Sequence, residues 1–148
     1  MGLLFLYILL ITGIFAGEFW LKNRAENRES SAGQTKFILI RRYHNRGAAL
    51  NLGQRHRRIV AAVSAVFCLL AFICFLLSLG QKGNHLLRLG LAILLGGAFS
   101  NTYDRLKRKY VVDYFSFNVK WKPLRRIVFN LSDFCIIAGA LLAAIEAP

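Results

Sequence analysis

The sequence is poor in acidic residues and in cysteine. Only seven Asp and Glu stand against 20 Lys and Arg in 148 residues, and there are three cysteines. Cys68, Cys74 and Cys135 all lie in apolar stretches, and their spacing fits neither a disulfide framework nor a metal site. We therefore interpret them as small buried hydrophobic residues and predict no metal centre.

Charge is also missing from long stretches. Apolar residues make up 56% of the chain and charged residues 18%, and a run of roughly 20 apolar residues is long enough to span a bilayer as a helix. The length fits a single domain over residues 1–148. Because backbone polar groups cannot stay unpaired in lipid, each apolar segment is predicted to be helical. The four segments are Leu3–Trp20, Ile59–Leu79, Leu86–Tyr103 and Ile127–Ile145.

The first segment and the net charge each allow another interpretation. No basic residue precedes Leu3 and no clear cleavage site follows Trp20, so we expect an uncleaved helix and not a signal peptide. A net charge of +13 can indicate a nucleic-acid partner. However, the basic residues flank the predicted spans, where anionic lipid headgroups are nearer. We predict membrane lipids as partners and no nucleic acid.

The connections predict where the helices meet. In the first, Lys22–Arg58, the apolar run Phe37–Ile40 predicts a strand. The second, Gly80–His85, is short and makes helices two and three antiparallel neighbours. The third, Arg105–Arg126, contains the stretch Tyr110–Val119, whose β-branched and aromatic residues predict a strand or interfacial ribbon. The fold class is an all-α membrane protein with four transmembrane helices and a small β-rich region between helices one and two.

Acids near the spans are the informative residues, because an ionisable group at membrane depth costs a few kcal/mol and is a functional candidate. Glu26 and Glu29 lie in a polar loop and Glu146 in the terminal tail. The other acids lie at helix ends or in the third connection. They are Glu18, Asp104, Asp113 and Asp133.

Two polar groups also have purely structural interpretations. Asn101, Asp104 and Arg105 share a helix face and would suit a solvated helix end with an Asp–Arg pair. Asn130 and Asp133 would suit a cap at the start of helix four.

Asp113 is harder to explain structurally, because its neighbours are apolar. The third connection joins helices three and four, so Asp113 and Asp133 are expected within reach of one another. Two carboxylates sharing a site cannot both ionise easily, and the pKa of one rises. One acid and one base are what the activation of water against a peptide carbonyl requires.

Five motifs resemble those of the lipoprotein signal peptidase (signal peptidase II) family. Gly96–Arg105 resembles G-G-A-x-G-N-x-x-D-R, and Val111–Tyr114 resembles V-x-D-F/Y. Phe129–Asp133, with the following Ile136 and Gly139, resembles F-N-x-A-D-x-x-I-x-x-G. The other two motifs are Asn45–Leu50, similar to N-x-G-A-A-F, and Glu18 with Lys22, similar to D-Q-x-x-K.

The resemblance implies roles for matching residues. Asp113 and Asp133 correspond to the catalytic pair, and Lys22, near Glu18, to the lysine of helix one. The remaining matches correspond to groups that position the acids and the substrate, namely Asn45, Gly47, Asn101, Asp104, Arg105 and Asn130. Four departures mark a divergent member: Glu18 for Asp, Leu50 for Phe, Ser100 for Gly and Ser132 for Ala.

The implied function is an intramembrane aspartyl endopeptidase without cofactors. It would remove the signal peptide of a prolipoprotein before a diacylglyceryl-modified cysteine, with residues 36–55 cradling the substrate. The implied location is the bacterial inner membrane, with the active site near the extracytoplasmic face. From the small, closed bundle we expect a monomer. Of the Lys and Arg residues, all except Lys82 and Arg88 then lie outside, the reverse of the positive-inside rule.

Two alternatives stay open at this point. A small transporter or proton-relay subunit also uses acids in membrane helices, but it is expected to place them near the midplane and to show an internal repeat. Neither is present in the sequence. An inactive homologue that binds lipoproteins without cleaving them is the other alternative.

Overall fold

The computed structural model describes residues 2–27, 35–48, 51–81 and 83–146. The protein is mostly helical, with one short 3-10 turn at Gln54–His56. The elements in chain order are α1 (Gly2–Glu26), β1 (Ile38–Asn45), α2 (Arg57–Leu79), α3 (His85–Lys107), β2 (Val111–Phe117), α4 (Lys122–Arg126) and α5 (Leu131–Glu146).

Three helices are long and apolar enough to cross a membrane: Gly2–Glu26, Gln54–Leu79 and His85–Lys107. The first and second turn large apolar side chains outward, such as Phe5 at 66% exposure and Phe67 at 68%. In water such surfaces drive association, whereas in a bilayer they face lipid. The prediction of a helical membrane protein is confirmed.

Helix α3 lies at the centre of the bundle and packs against α1, α2 and α5. Glycines on α3 and α5 let the two helices approach until their backbones touch, as small residues do in membrane helices. A Cβ placed on Gly139 would lie 2.5 Å from the Gly90 carbonyl oxygen, and one on Gly97 would lie 2.6 Å from the Ser132 carbonyl oxygen. This close approach holds the start of α5 against the last turns of α3.

The two strands form one antiparallel sheet, in which Ile38 pairs with Phe117 and Asn45 with Val111. The predicted β-rich region between helices one and two is therefore only half right, because the second strand comes from the connection after α3. A single strand leaves its backbone groups unpaired, and β2 supplies the partner. Strand β1 also continues past the predicted Phe37–Ile40, through polar residues whose spacing shows no apolar alternation.

Aromatic side chains fasten this sheet to α5. The rings of Phe115, Phe117, Phe129 and Phe134 contact one another with centroids 5.6 to 6.3 Å apart. Such pairs add stability beyond the area they bury. The cluster fixes the position of β2 relative to the first turn of α5.

Several predicted boundaries change. The fourth helix starts at Leu131 and not at Ile127, because Phe129 forms a β-bridge with Phe115. Helix α4, with a proline in its first turn, was not predicted. Helices α1 and α3 each run at least a turn further than their predicted apolar segments, to Glu26 and Lys107.

Glu146 was predicted to lie in a terminal tail but is the last residue of α5. Its Oε2 accepts hydrogen bonds of 3.1 Å from the backbone N–H groups of Leu86 and Leu87. These are orphan donors of the first turn of α3, where a carboxylate is favourable. The end of α5 is therefore level with the start of α3.

Candidate active site

Asp113 and Asp133 meet at one residue, Asn130. The side-chain Nδ2 of Asn130 donates to Asp113 Oδ1 at 2.6 Å, and its backbone N–H donates to Asp133 Oδ2 at 3.1 Å. Asp113 lies in the middle of β2 and is only 2% exposed, whereas Asp133 lies in the first turn of α5. The sheet and the helix thus bring together two acids from different elements.

Asn130 and Asp133 also cap α5. The backbone N–H of Asp133 donates to Asn130 Oδ1 at 3.1 Å, which completes the reciprocal bonding of a capping box. The capping interpretation is therefore correct, and it leaves the Nδ2 of Asn130 available to Asp113. The helix N-terminus favours negative charge on Asp133.

Asn101 and Arg105 support this pair from α3. Asn101 Nδ2 donates to Asp133 Oδ1 at 3.0 Å. Arg105 donates to the carbonyl oxygen of Asn101 at 3.3 Å and to that of Gly47 at 3.2 Å. Gly47 is required where it lies, since a Cβ there would come within 2.5 Å of the Asn51 carbonyl oxygen. Arg105 thus ties the loop after β1 to the helix that positions Asp133.

Lys22 is fully buried beneath these residues. Its Nζ donates to Asn101 Oδ1 at 2.8 Å and to Ser100 Oγ at 2.9 Å. The same nitrogen lies 3.1 Å from Asp104 Oδ2 and 3.6 Å from Glu18 Oε2. One ammonium group therefore pairs with two buried acids and orients an amide that contacts Asp133.

Asp104 does not form the ion pair with Arg105 that the solvated-end interpretation implied. Besides Lys22, its partner is Arg108, at 3.0 Å between Nε and Oδ1. Asp104 is 1% exposed and also accepts a 3.3 Å hydrogen bond from the backbone N–H of Val112. It therefore anchors β2 immediately before Asp113.

Glu18 binds the start of α5 in a way that sequence reasoning missed. Its Oε2 accepts hydrogen bonds from the backbone N–H of Ser132 at 3.1 Å and from the Ser132 hydroxyl at 2.6 Å. Its Oε1 accepts from the Tyr114 hydroxyl at 2.5 Å. The only sequence signal for this network was that Glu18 and Ser132 both depart from the family pattern. The structure shows the two departures to be partners.

Tyr114 was likewise not predicted as a site residue. Its hydroxyl accepts the backbone N–H of Leu131 at 3.1 Å while it donates to Glu18. Burial, followed by the hydrogen bond to Glu18, raises the pKa of Tyr114, so its proton stays in place. Tyr114 thereby joins β2, α1 and α5 one residue after Asp113.

A double-mutant cycle tests the partnership of Glu18 and Ser132. Glu18→Asp shortens the carboxylate and strands the Ser132 hydroxyl, at an expected cost of about 1–3 kcal/mol in the free energy of unfolding. Ser132→Ala alone removes a bond to a charged group at a similar cost. We expect the double variant to lose less than the sum of both by about 1 kcal/mol, measured by denaturant unfolding in detergent.

The matched control pairs Glu18→Asp with Ser64→Ala on α2. Ser64 makes no hydrogen bond to Glu18 in the described residues, so those two effects should add. Additive effects for Glu18→Asp and Ser132→Ala would show that the two side chains are not coupled.

Asp113 has an unusual protonation equilibrium. Burial, and then the nearby charge of Asp133, raise the pKa of Asp113 to about 7, although hydrogen bonds from Asn130 and Asn45 and the charge of Lys22 oppose this rise. Near neutral pH the Asp113 carboxyl therefore carries a proton much of the time.

A cleft of about 520 Å³ opens above Asp113. Asn45, at the end of β1, lines it together with Ile127 and Val128. Three cations also line it, Arg41, Arg42 and Arg126.

Of the Asn45–Leu50 motif, Ala49 and Leu50 lie outside the described residues. The other predicted site residues all lie in this one region of the molecule.

Three helices that are long and apolar enough to cross a membrane, and two acids that Asn130 joins between β2 and the first turn of α5, define a membrane protein with a polar site where its sheet meets its helices. The family model described as signal peptidase (SPase) II matches residues 6–147. The chain belongs to the signal peptidase II family.

Named relatives agree with this assignment. The chain is 30% identical over 145 residues to the lipoprotein signal peptidase of Clostridioides difficile, covering 95% of this chain and 93% of that one. It is 36% identical over 104 residues to the lipoprotein signal peptidase of Clostridium acetobutylicum, covering 68% of this chain and 64% of that one. A solved bacterial membrane enzyme shares the fold, with a TM-score of 0.77 at 18% identity, covering 94% of this chain and 85% of that one.

Proposed function

We propose that this protein is an aspartyl endopeptidase that removes signal peptides from lipoprotein precursors. The observation that carries the proposal is the bridging of Asp113 and Asp133 by Asn130 beneath an open cleft. The relatives named above are lipoprotein signal peptidases. The resemblance of the motifs adds the substrate, a precursor cleaved before a diacylglyceryl-modified cysteine.

The two acids divide the chemistry. A water held between them loses a proton to the Asp133 carboxylate as its oxygen bonds to the scissile carbonyl carbon, and protonated Asp113 donates to the carbonyl oxygen. Collapse of this intermediate breaks the C–N bond. The proton on Asp133 passes to the leaving amine, and one hydroxyl of the intermediate returns its proton to Asp113, which leaves a carboxylic acid product. Asn130 and Asn101 hold the carboxyl groups in position, which contributes through orientation.

We also propose that α5 is the fourth span. Its 16 residues measure about 24 Å, and it runs beside α3 from Ser132, against Gly97, to Glu146, at the start of α3. Its outer face exposes Ile137, at 58%, and Leu141, at 63%. A helix that lies beside the first half of α3 and exposes such residues shares its hydrocarbon layer.

The site is proposed to face the outside of the inner membrane. Both long connections, the sheet and the acids lie at one end of the bundle, opposite Glu146. We therefore expect alkaline phosphatase fused to the C-terminus to be inactive and a fluorescent protein fused there to be active. An active phosphatase fusion would place the C-terminus outside and contradict the proposed orientation.

The substrate is tested with the purified chain in detergent and a prolipoprotein prepared with and without the diacylglyceryl group on its cysteine. We expect a single cut immediately before the modified cysteine and at least about a hundredfold slower cleavage of the unmodified form. A lipoprotein-binding homologue without activity would retain the modified precursor uncut. No cleavage of either form by folded protein contradicts the proposed function.

The pKa of Asp113 predicts a dependence of stability on pH. Because the folded-state pKa of about 7 lies above the ordinary value near 4, the folded state binds more protons between these values. Stability is then lost as pH rises through this window, by up to about 4 kcal/mol. We expect Asp113→Asn to lack this loss and to gain stability relative to the wild type from pH 4 to pH 8 in thermal unfolding. Parallel stability curves for both proteins would refute the prediction.

A further inference from the structure

A second cavity opens at the same end of the molecule, between the start of α2 and the end of α3. Its volume is about 680 Å³, and it does not include Asp113 or Asp133. Six cations line it, namely Arg46, Arg55, Arg57, Arg58, Arg105 and Lys109, and no acid does. Apart from Arg105, which ties the Gly47 loop to α3, these cations take no part in the proposed reaction.

Within the described part of the chain, the cations that line this cavity form no salt bridge with an acid. There, the salt bridges of Glu18, Glu26 and Asp104 go to Lys22, His44 and Arg108. None of these salt bridges involves a cation that lines the cavity. Concentrated like charges of this kind favour the binding of an anion.

The first turn of α2 adds to the positive potential. Arg57 and Arg58 lie in this turn without any acid, and the N-cap residue His56 makes no side-chain capping bond. The N-terminal end of a helix is itself positive and presents free N–H groups, so arginines are unfavourable there. A bound anion would relieve this repulsion, as phosphates do at helix N-termini.

The lower wall of the cavity is apolar. Ile59, Ala61 and Ala62 line it about one turn further along α2, and Ile59 is 60% exposed. The surface continues along α2 into Val63 and Val66, which are 47% and 55% exposed. The cavity therefore joins a cationic rim to a lipid-facing helix surface.

We propose that this cavity binds the phosphate group of an anionic phospholipid, with an acyl chain along α2. Arginine suits phosphate because its planar fork donates two parallel hydrogen bonds. Free glycerol phosphate shares the headgroup chemistry, but the apolar wall favours the lipid. This inference is independent of the proposed function, because no residue of the acid pair contributes to the cavity.

Binding to the delipidated full chain in a neutral detergent tests the proposal. The probes are dihexanoylphosphatidylglycerol, dihexanoylphosphatidylcholine and glycerol 1-phosphate, followed by native mass spectrometry. We expect phosphatidylglycerol to bind at least about tenfold more tightly than phosphatidylcholine, and Arg57→Gln/Arg58→Gln/Lys109→Gln to lose this preference. The readout is binding, so it stays interpretable whether or not the protein cleaves lipoproteins.

The matched control, Lys120→Gln/Lys122→Gln/Arg125→Gln, removes equal charge from exposed positions outside the cavity and should keep the wild-type preference. Glycerol 1-phosphate binding as tightly as phosphatidylglycerol would support the phosphate site and make free phosphate its ligand. Equal affinity for both lipids, or equal losses in both triple variants, would overturn the proposal. Should the cavity variant not fold, a wild-type affinity for phosphatidylglycerol that is unchanged from about 50 to 500 mM salt would also overturn it.

Discussion

Replacement of Asp113 or Asp133 by Asn is expected to slow cleavage of a diacylglyceryl-modified prolipoprotein by about 10²- to 10⁴-fold, the usual contribution of general acid–base groups. In Asp133→Asn, the amide at this position cannot accept the proton of the attacking water. In Asp113→Asn, the amide cannot deliver a proton to the carbonyl oxygen. Each variant removes one half of a reaction that needs both, so their combination should be little slower than either alone.

The fold should survive these substitutions. An amide oxygen at position 113 can still accept from Asn130, and one at position 133 can still accept from the Asn130 backbone N–H. The measurement is the initial cleavage rate in detergent, together with the unfolding midpoint of each variant. The matched control is Glu26→Gln, an acid in the same aqueous region that bonds to His44 and Tyr110; its rate should stay within about twofold of the wild type. Full activity in either aspartate variant would remove the acid pair from the mechanism.

Lys22→Met is expected to have the largest effect on stability, about 3–5 kcal/mol in the free energy of unfolding, because it leaves buried charges uncompensated. Lys22 is fully buried and is the one cation within 4.0 Å of Glu18 among the described residues. Asp104 would keep only Arg108, and Asn101 would lose the bond that orients it towards Asp133.

Two variants separate charge from packing. Lys22→Met/Glu18→Gln removes a balanced pair and should be more stable than Lys22→Met alone. Lys109→Met removes an exposed charge and should change stability by less than about 0.5 kcal/mol. Chemical denaturation in detergent measures all three. A Lys22→Met variant as stable as the wild type would show that this ion cluster contributes nothing to the fold.

Several candidate site residues stood out in the sequence because they are polar residues in apolar surroundings. Asp113 interrupts an apolar strand, and Asn101 and Asp104 lie near the end of an apolar helix. The motif spacing then related them to a family, which the comparisons confirmed. The roles of the residues remain proposals that the variants above test.

Tyr114 and Ser132 show where such reasoning stops. Tyrosine is ordinary in a strand and serine is ordinary at a helix start, so neither was conspicuous. Their importance comes from Glu18, which is more than 90 residues away along the chain and contacts both. The strand pairing was missed for a similar reason, since the polar residues that extend β1 show no periodicity and the partner strand follows α3.

Apolar run length and the scarcity of acids are properties of neighbouring residues, and they suffice to establish membrane helices and to single out the acids between them. Which side chains meet is a different matter, because it depends on how closely α3 and α5 approach at their glycines and on the pairing of β1 with β2. These contacts join residues distant in the chain through packing that no local pattern encodes. The bond from Asn130 to Asp113, and the ammonium group beneath it, follow from that packing alone.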